Sequence, residues 1–267
     1  MEDDILKDGY LDLKINSCID GFRCRYKEEY NCLKEIDSFF YKIQDELIKK
    51  GANQQNTFIM ASLVQLQKLY DSSILLFERG LVESGNTLIR PILELSFKII
   101  EVISNDEFVE DLLLDEQYEN LKLMKDIEEH KLFELFPENQ LKEHKEIIEK
   151  RIDSRKRPKT KSNYLAEKNG LYREYILYRL QCEYVHQSTG VIGRTIKVTS
   201  DGKIYVDADL QLKDFKKSIA WLLSITTISI EIILRQYIKN EDLSNEYNRI
   251  IKKFEIYFKE LIWKYVN

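Results

Sequence analysis

The chain has 267 residues, of which 43% are hydrophobic and 11% aromatic, enough to bury a substantial core. Only 9 glycines and 3 prolines accompany 33% charged residues, which argues against the many turns of an all-β or Rossmann-type chain and favours long helices. The formal net charge of -5 excludes a general attraction to nucleic acid or anionic membranes, so any polyanion must bind at a local site.

Apolar periodicity predicts an all-α fold, a multi-helix bundle of about seven helices. The expected helical segments are residues 26–50, 56–79, 86–103, 104–130, 140–155, 172–186, 210–239 and 243–266. Ser104 and Glu107 have the spacing of a capping box at the start of the fourth segment. Apolar residues alternate on both sides of Asp201-Gly202, which predicts one small β-hairpin near residues 195–207.

A single domain, residues 1–267, is expected, with its core at about 26–240 and a C-terminal helix at 243–266. Segments 56–79, 86–103, 172–186 and 210–239 should form that core, while residues 150–163 should be a basic, flexible segment. The four cysteines form no C-x-x-C pair, and MEDDILKDGY has no basic start followed by an apolar run. We therefore expect free thiols, a cytoplasmic location and no membrane contact, since the apolar stretch 218–230 is shorter than the about 20 residues of a bilayer span.

Segment 86–103 is apolar around most of its circumference, and its polar residues share an arc of roughly 80°. These residues are Arg90, Glu94, Lys98 and Glu101. One interpretation is an exposed ladder of ion pairs along the helix. The other is a buried polar network that involves Arg90 and Glu94.

Arg179 and His186 are the residues that most suggest chemistry, because a separation of seven places both on one side of a helix, about 10 Å apart along its axis. Tyr175 and Cys182 fall on the same line. The opposite side carries Ile176, Leu177, Leu180 and Tyr184, and we expect it to pack on the core.

This spacing resembles the R-x(4-6)-H signature of the HEPN superfamily, helical domains of toxins, antiphage systems and RNA-processing proteins. The resemblance implies a homodimer with a composite, metal-independent RNA-cleaving site. His186 would then act on the ribose 2′-hydroxyl or on the leaving oxygen, and Arg179 would neutralise the phosphate as charge builds.

A broader likeness covers roughly residues 55 to 200. The segments LIRPILE and YRLQCEYVH resemble an uncharacterised family of bacterial helical proteins that combines L-x-R-x-x-x-E with a later Y-x-x-L-x-x-Y-V-H. The resemblance implies an all-helical fold and a polar centre, with Arg90, Glu94, Tyr178, Tyr184 and His186 as its members. It implies no known activity.

A run of basic residues could follow an RNA backbone, or it could be a solvated loop. Its members are Arg151, Arg155, Lys156, Arg157, Lys159 and Lys161. Glu183 and His186 match only half of a di-iron helix motif, and no glycine-rich nucleotide loop occurs, so we expect no metal and no cofactor.

Two functions stay open. The first is a HEPN-like RNA-binding or RNA-cleaving protein of a bacterial toxin or phage-defence type, with RNA, a second copy of the chain, and an antitoxin or another protein as partners. The second is a non-catalytic helical module for interaction or ligand sensing, in which Arg90, Glu94, Tyr184 and His186 form a structural network. Accessibility of Arg179 and His186 would favour the first, and internal pairing with Glu94 the second.

Overall fold

A computed structural model describes residues 15–134, 136–152, 155–186, 193, 196–200, 202–206 and 215–264. The helices in chain order are α1 (Ile15–Arg25), α2 (Lys27–Lys49), α3 (Gln54–Glu78), α4 (Val82–Thr87), α5 (Ile89–Ser104), α6 (Phe108–Glu129), α7 (Glu138–Ile152), α8 (Ser162–Lys168), α9 (Tyr172–Val185), α10 (Phe215–Ile232) and α11 (Glu241–Lys264). A π-helical turn, Ile233–Ile238, continues α10.

The all-helical bundle is confirmed, but about seven helices is too low a number. Helices α4 and α8 have only 6 and 7 residues, too few to show an apolar period. Two strands of three residues, β1 (Ile196–Val198) and β2 (Ile204–Val206), pair antiparallel with Val198 opposite Ile204. Residues 1–14, 195, 201, 207–214 and 265–267, which belong to several of the expected elements, lie outside the described residues.

The expected helix 86–103 is wrong at its start. Pro91 has no N–H, and its ring would clash with the carbonyl of Thr87 four residues earlier. Helix α4 therefore ends at Thr87 and α5 begins at Ile89. The capping box is also wrong, because the Ser104 hydroxyl donates to the Ile100 carbonyl at 3.1 Å.

Helix α5 lies at the centre and packs against α3, α9 and α10. The four segments expected to form the core leave out α2, which contributes buried residues over several turns: Leu33, Ile36, Phe39, Phe40, Ile43 and Leu47. Segment 172–186 contributes less than expected, since the buried residues of α9 are Gln181 and Tyr184. The α6–α7 pair is peripheral and has a small cluster of its own, Leu114, Ile148 and Ile152.

Residues Phe215–Ile238 are long and apolar enough, by length and composition, to cross a membrane. Most of the apolar window is buried inside the bundle, where α10 packs against α5 and α3. This is the placement of a core helix in a soluble protein.

Candidate functional site

Arg90 and Glu94 lie one turn apart at the start of α5, on the side that faces α9. Nε of Arg90 is 3.2 Å from Oε1 of Glu94, and both side chains are partly buried. The break before α5 places Arg90 in its first turn. Arg90 and Glu94 thus contact a neighbouring helix, and they do not form part of an exposed ladder.

Tyr178 and His186 bring α9 to this ion pair. The Tyr178 hydroxyl donates to Oε1 of Glu94 at 3.0 Å, and Nη1 of Arg90 lies 3.0 Å from Nε2 of His186. A guanidinium can only donate hydrogen bonds, so Nε2 of His186 is the acceptor in this contact. We call Arg90, Glu94, Tyr178 and His186 the polar centre.

Aromatic rings support the polar centre from one side. The Arg90 guanidinium lies over the Tyr178 ring, 5.1 Å from its centroid, a favourable cation–π distance. Tyr175 stacks on Tyr178 with the ring centroids 5.7 Å apart. Burial, together with the Glu94 carboxylate, raises the pKa of Tyr178, so its hydroxyl stays protonated and continues to donate to Glu94.

His186 stands directly after the last residue of α9, and its side chain is exposed. Its backbone N–H donates to the Cys182 carbonyl at 3.0 Å, so the residue continues the last turn of the helix. The Cys182 thiol donates to the Tyr178 carbonyl at 3.3 Å, so it bonds along its own helix. Tyr184 is buried.

Arg179 is exposed and makes no hydrogen bond or ion pair to another described residue. It nevertheless shares one side of α9 with His186, since seven residues turn a helix through nearly two full rounds. The structure therefore leaves both residues accessible and brings only His186 to Arg90 and Glu94.

The expected orientation of α9 is wrong for Ile176 and Leu180, whereas Tyr184 is buried and Leu177 packs against the core as expected. Tyr172, Ile176 and Leu180 are 68%, 48% and 43% exposed and form what we call the outer strip of α9. Both sides of the helix carry apolar residues, and the side with the large Tyr175 and Tyr178 rings packs inward because aromatic side chains bury the most area.

Gln181 stands where the family pattern Y-x-x-L-x-x-Y-V-H has leucine. It is fully buried between α9 and its neighbours, and neither polar atom of its side chain has a hydrogen-bond partner among the described residues. An unpaired buried amide costs free energy, so this residue weakens the packing of α9.

The basic run lies against α6 and has a defined course. Arg157 pairs with Asp115 at 2.7 Å and with Glu119, and the Tyr118 hydroxyl donates to the Arg155 carbonyl. These carboxylates neutralise Arg157. Among the described residues, the exposed members of the run without an ion pair are Arg151, Arg155, Lys156, Lys159 and Lys161.

Sequence reasoning missed a second buried polar contact on α5. Glu101 is 1% exposed and pairs with Lys168 of α8, while Asn169 donates to its Oε2 at 2.9 Å. The polar arc on α5 was the available signal, but the short helix α8 gave none. Within the described ranges, no three His, Cys, Asp or Glu side chains come together as a metal site.

Fold and site together define an all-helical protein whose polar centre joins two helices far apart in sequence. The chain belongs to a family of unknown function, DUF5677, whose model matches residues 55–204 and so includes the whole polar centre. No curated protein and no solved structure matches the chain.

Proposed function

We propose that this chain is a HEPN-like protein that binds RNA and cleaves it without a metal, as a cytoplasmic toxin or phage-defence protein of bacteria. One observation carries the proposal. The exposed imidazole of His186 shares a side of α9 with exposed Arg179, and the Arg90 guanidinium lies 3.0 Å from its Nε2. An accessible proton-transfer group beside one permanent cation, with a second cation on the same side of the helix, suits cleavage of a phosphodiester.

In this reaction the ribose 2′-oxygen attacks the adjacent phosphorus, the bond to the 5′-oxygen breaks, and the products are a 2′,3′-cyclic phosphate and a 5′-hydroxyl. A base takes the 2′-proton and an acid gives one to the leaving oxygen. A phosphate that binds Arg90 would compete for its N–H and free Nε2 of His186 for proton transfer. Glu94 would hold Arg90 in place.

A second copy of the chain would supply the second acid–base group. The outer strip, Tyr172, Ile176 and Leu180, is an exposed apolar row beside Arg179, and such rows favour association. We propose a homodimer in which the outer strips of two copies pack together beside their polar centres.

One observation favours the second candidate, a non-catalytic module for interaction or ligand sensing. Nε2 of His186 already accepts a hydrogen bond from Arg90, which is itself paired with Glu94. In that function the polar centre only holds α9 on α5.

The test is cleavage of labelled RNA in EDTA by the wild type and by His186→Ala and Arg179→Ala. The chain has 3 histidines, so His130→Ala and His144→Ala are matched controls for the first variant, and Arg173→Ala, an exposed arginine of the same helix, is the control for the second. We expect a loss of about 100-fold or more in both site variants, which is typical of a lost acid–base group, and none in the histidine controls.

Correct folding of each variant is checked by circular dichroism. Cleavage that persists in His186→Ala would assign the activity to another protein or another site. Absence of cleavage in every sample, with folded protein, would favour the non-catalytic module.

A further inference from the structure

A groove lies between α2 and α11, two helices that do not belong to the polar centre. It encloses about 300 Å³. Glu35 pairs with Lys253 at 2.6 Å, and Lys42 pairs with Glu246 at 2.7 Å, so the two helices run antiparallel. Glu35 and Lys42 are about 10 Å apart along α2, and the two ion pairs therefore close the groove at its two ends.

Positive charge exceeds negative charge in this groove. Its lining contains four cations and two carboxylates, a formal excess of two positive charges in a chain of net charge -5. The cations are Lys34, Lys42, Arg249 and Lys253. Such a local excess attracts anions even when the whole protein repels them.

The ion pairs orient the two end lysines and leave them able to donate. An ammonium group has three N–H donors, and the pair with Glu246 or Glu35 accounts for one of them. Lys42 and Lys253 are thus held in place at low entropic cost to a ligand.

The remaining two cations have weaker partners. The ammonium of Lys34 lies 5.0 Å from the centroid of the Tyr30 ring, and Nη2 of Arg249 is 4.0 Å from Glu246. Ser38 adds a hydroxyl to the lining. Phe39 and Ile250 lie beneath it and are buried, which lowers the local dielectric and strengthens charge–charge attraction.

We propose that this groove binds a compact phosphate-bearing anion with more than one negative charge. The cations are distributed along a groove whose two ion pairs are about 10 Å apart. Such a distribution suits a ligand with several linked phosphates better than a ligand with a single carboxylate. The phosphates of a free nucleotide and those of an RNA chain share this chemistry. The inference goes beyond RNA cleavage, because the groove would bind its ligand whether or not the polar centre is catalytic.

The experiment measures pyrophosphate binding by isothermal titration calorimetry at low and moderate salt. The groove variant is Lys34→Ala with Arg249→Ala. The control is Lys27→Ala with Lys252→Ala, which removes the same charge from exposed positions of the same two helices outside the groove. We expect wild type and control to bind alike, and the groove variant to bind about tenfold more weakly or worse, as for the loss of close charge contacts.

Competition distinguishes the two sources of phosphate. Displacement of pyrophosphate by a nucleoside triphosphate supports a small ligand, and displacement by a 2′-deoxy oligonucleotide supports a nucleic-acid backbone. Equal binding by the groove and control variants, or no binding of pyrophosphate at millimolar concentration, overturns the proposal. Cleavage by the groove variant reports separately on the polar centre.

Discussion

The two ends of the polar arc on α5 have opposite surroundings. Glu94 lies near the N-terminus of the helix, partly accessible, and contacts Arg90 and Tyr178. Glu101, two turns later, is 1% exposed and holds Lys168 and Asn169 of the α8 segment. Both residues are glutamates on the same side of α5. Glu94 belongs to an accessible polar centre at one end of the helix, and Glu101 holds the short helix α8 at the other.

Burial separates these two roles. A carboxylate at the accessible end keeps part of its hydration and can exchange partners with a ligand, while a fully buried one depends on its protein partners. Charged residues in a helical arc therefore indicate contacts with neighbouring helices, and only their burial indicates which end can take part in chemistry.

The largest effect on stability is expected at the buried end. Glu101→Ala removes the buried partner of Lys168 and Asn169 and should lower the free energy of unfolding by about 2 kcal/mol, the cost of lost charge-assisted hydrogen bonds. Glu94→Ala, at a partly exposed ion pair, should cost about 1 kcal/mol or less. Urea unfolding of both variants measures the difference, and equal losses would contradict the division between the two ends.

A smaller change of opposite sign is expected on α9. Gln181→Leu replaces an amide without described partners by the residue of the family pattern, and it should raise the free energy of unfolding by about 1 kcal/mol. The matched control is Gln67→Leu. Gln67 is also buried, but it donates to Asp37 at 2.8 Å and accepts from Gln44 at 2.7 Å, so its replacement should destabilise. A loss of stability in Gln181→Leu would show that the amide has a partner.

The smallest effect concerns a carboxyl group that faces another carboxylate. Burial and the neighbouring Asp37 raise the pKa of Asp71 from 3.8 to about 6. Because the folded pKa lies above the unfolded one, the stabilising contribution is complete below pH 3.8 and is lost as the pH rises through about 6. Screening of this partly exposed group limits the loss to less than about 1 kcal/mol.

Asp71→Asn isolates this contribution. The unfolding free energies of wild type and variant are measured from pH 4 to pH 7. Between pH 4 and pH 6 only the wild type should lose the Asp71 contribution, so the two curves should differ in slope. Above pH 6 they should run parallel. Parallel curves across that window would contradict the raised pKa.

Much of the fold could be predicted from periodicity, because α2, α3 and α6 are long enough to repeat their apolar pattern several times. Asn53, directly before α3, is a residue type typical of a helix N-cap. Its side-chain oxygen accepts a hydrogen bond from the backbone N–H of Asn56. The break before Pro91 was also predictable, because a proline ring clashes with the carbonyl four residues earlier. The side of α9 that packs inward could not be predicted, because Ile176 and Leu180 on one side and Tyr175 and Tyr178 on the other are both apolar enough to face the core.

The candidate site was predictable in its residues and unpredictable in its contacts. Arg90, Glu94 and His186 stand in recognisable motifs, but their contacts depend on how α9 packs on α5. Arg90 and His186 are 96 residues apart in the sequence. The α2–α11 groove gave no sequence signal, because its ion pairs join residues 204 and 218 positions apart.

The most direct test compares RNA cleavage in EDTA by Glu94→Gln and Glu101→Gln, at a temperature where both variants are folded. We predict that Glu94→Gln loses about tenfold or more in cleavage rate, because Arg90 loses its orienting partner, and that Glu101→Gln cleaves at the wild-type rate. Wild-type cleavage by Glu94→Gln, or an equal loss in both variants, would contradict a functional centre at the accessible end of α5.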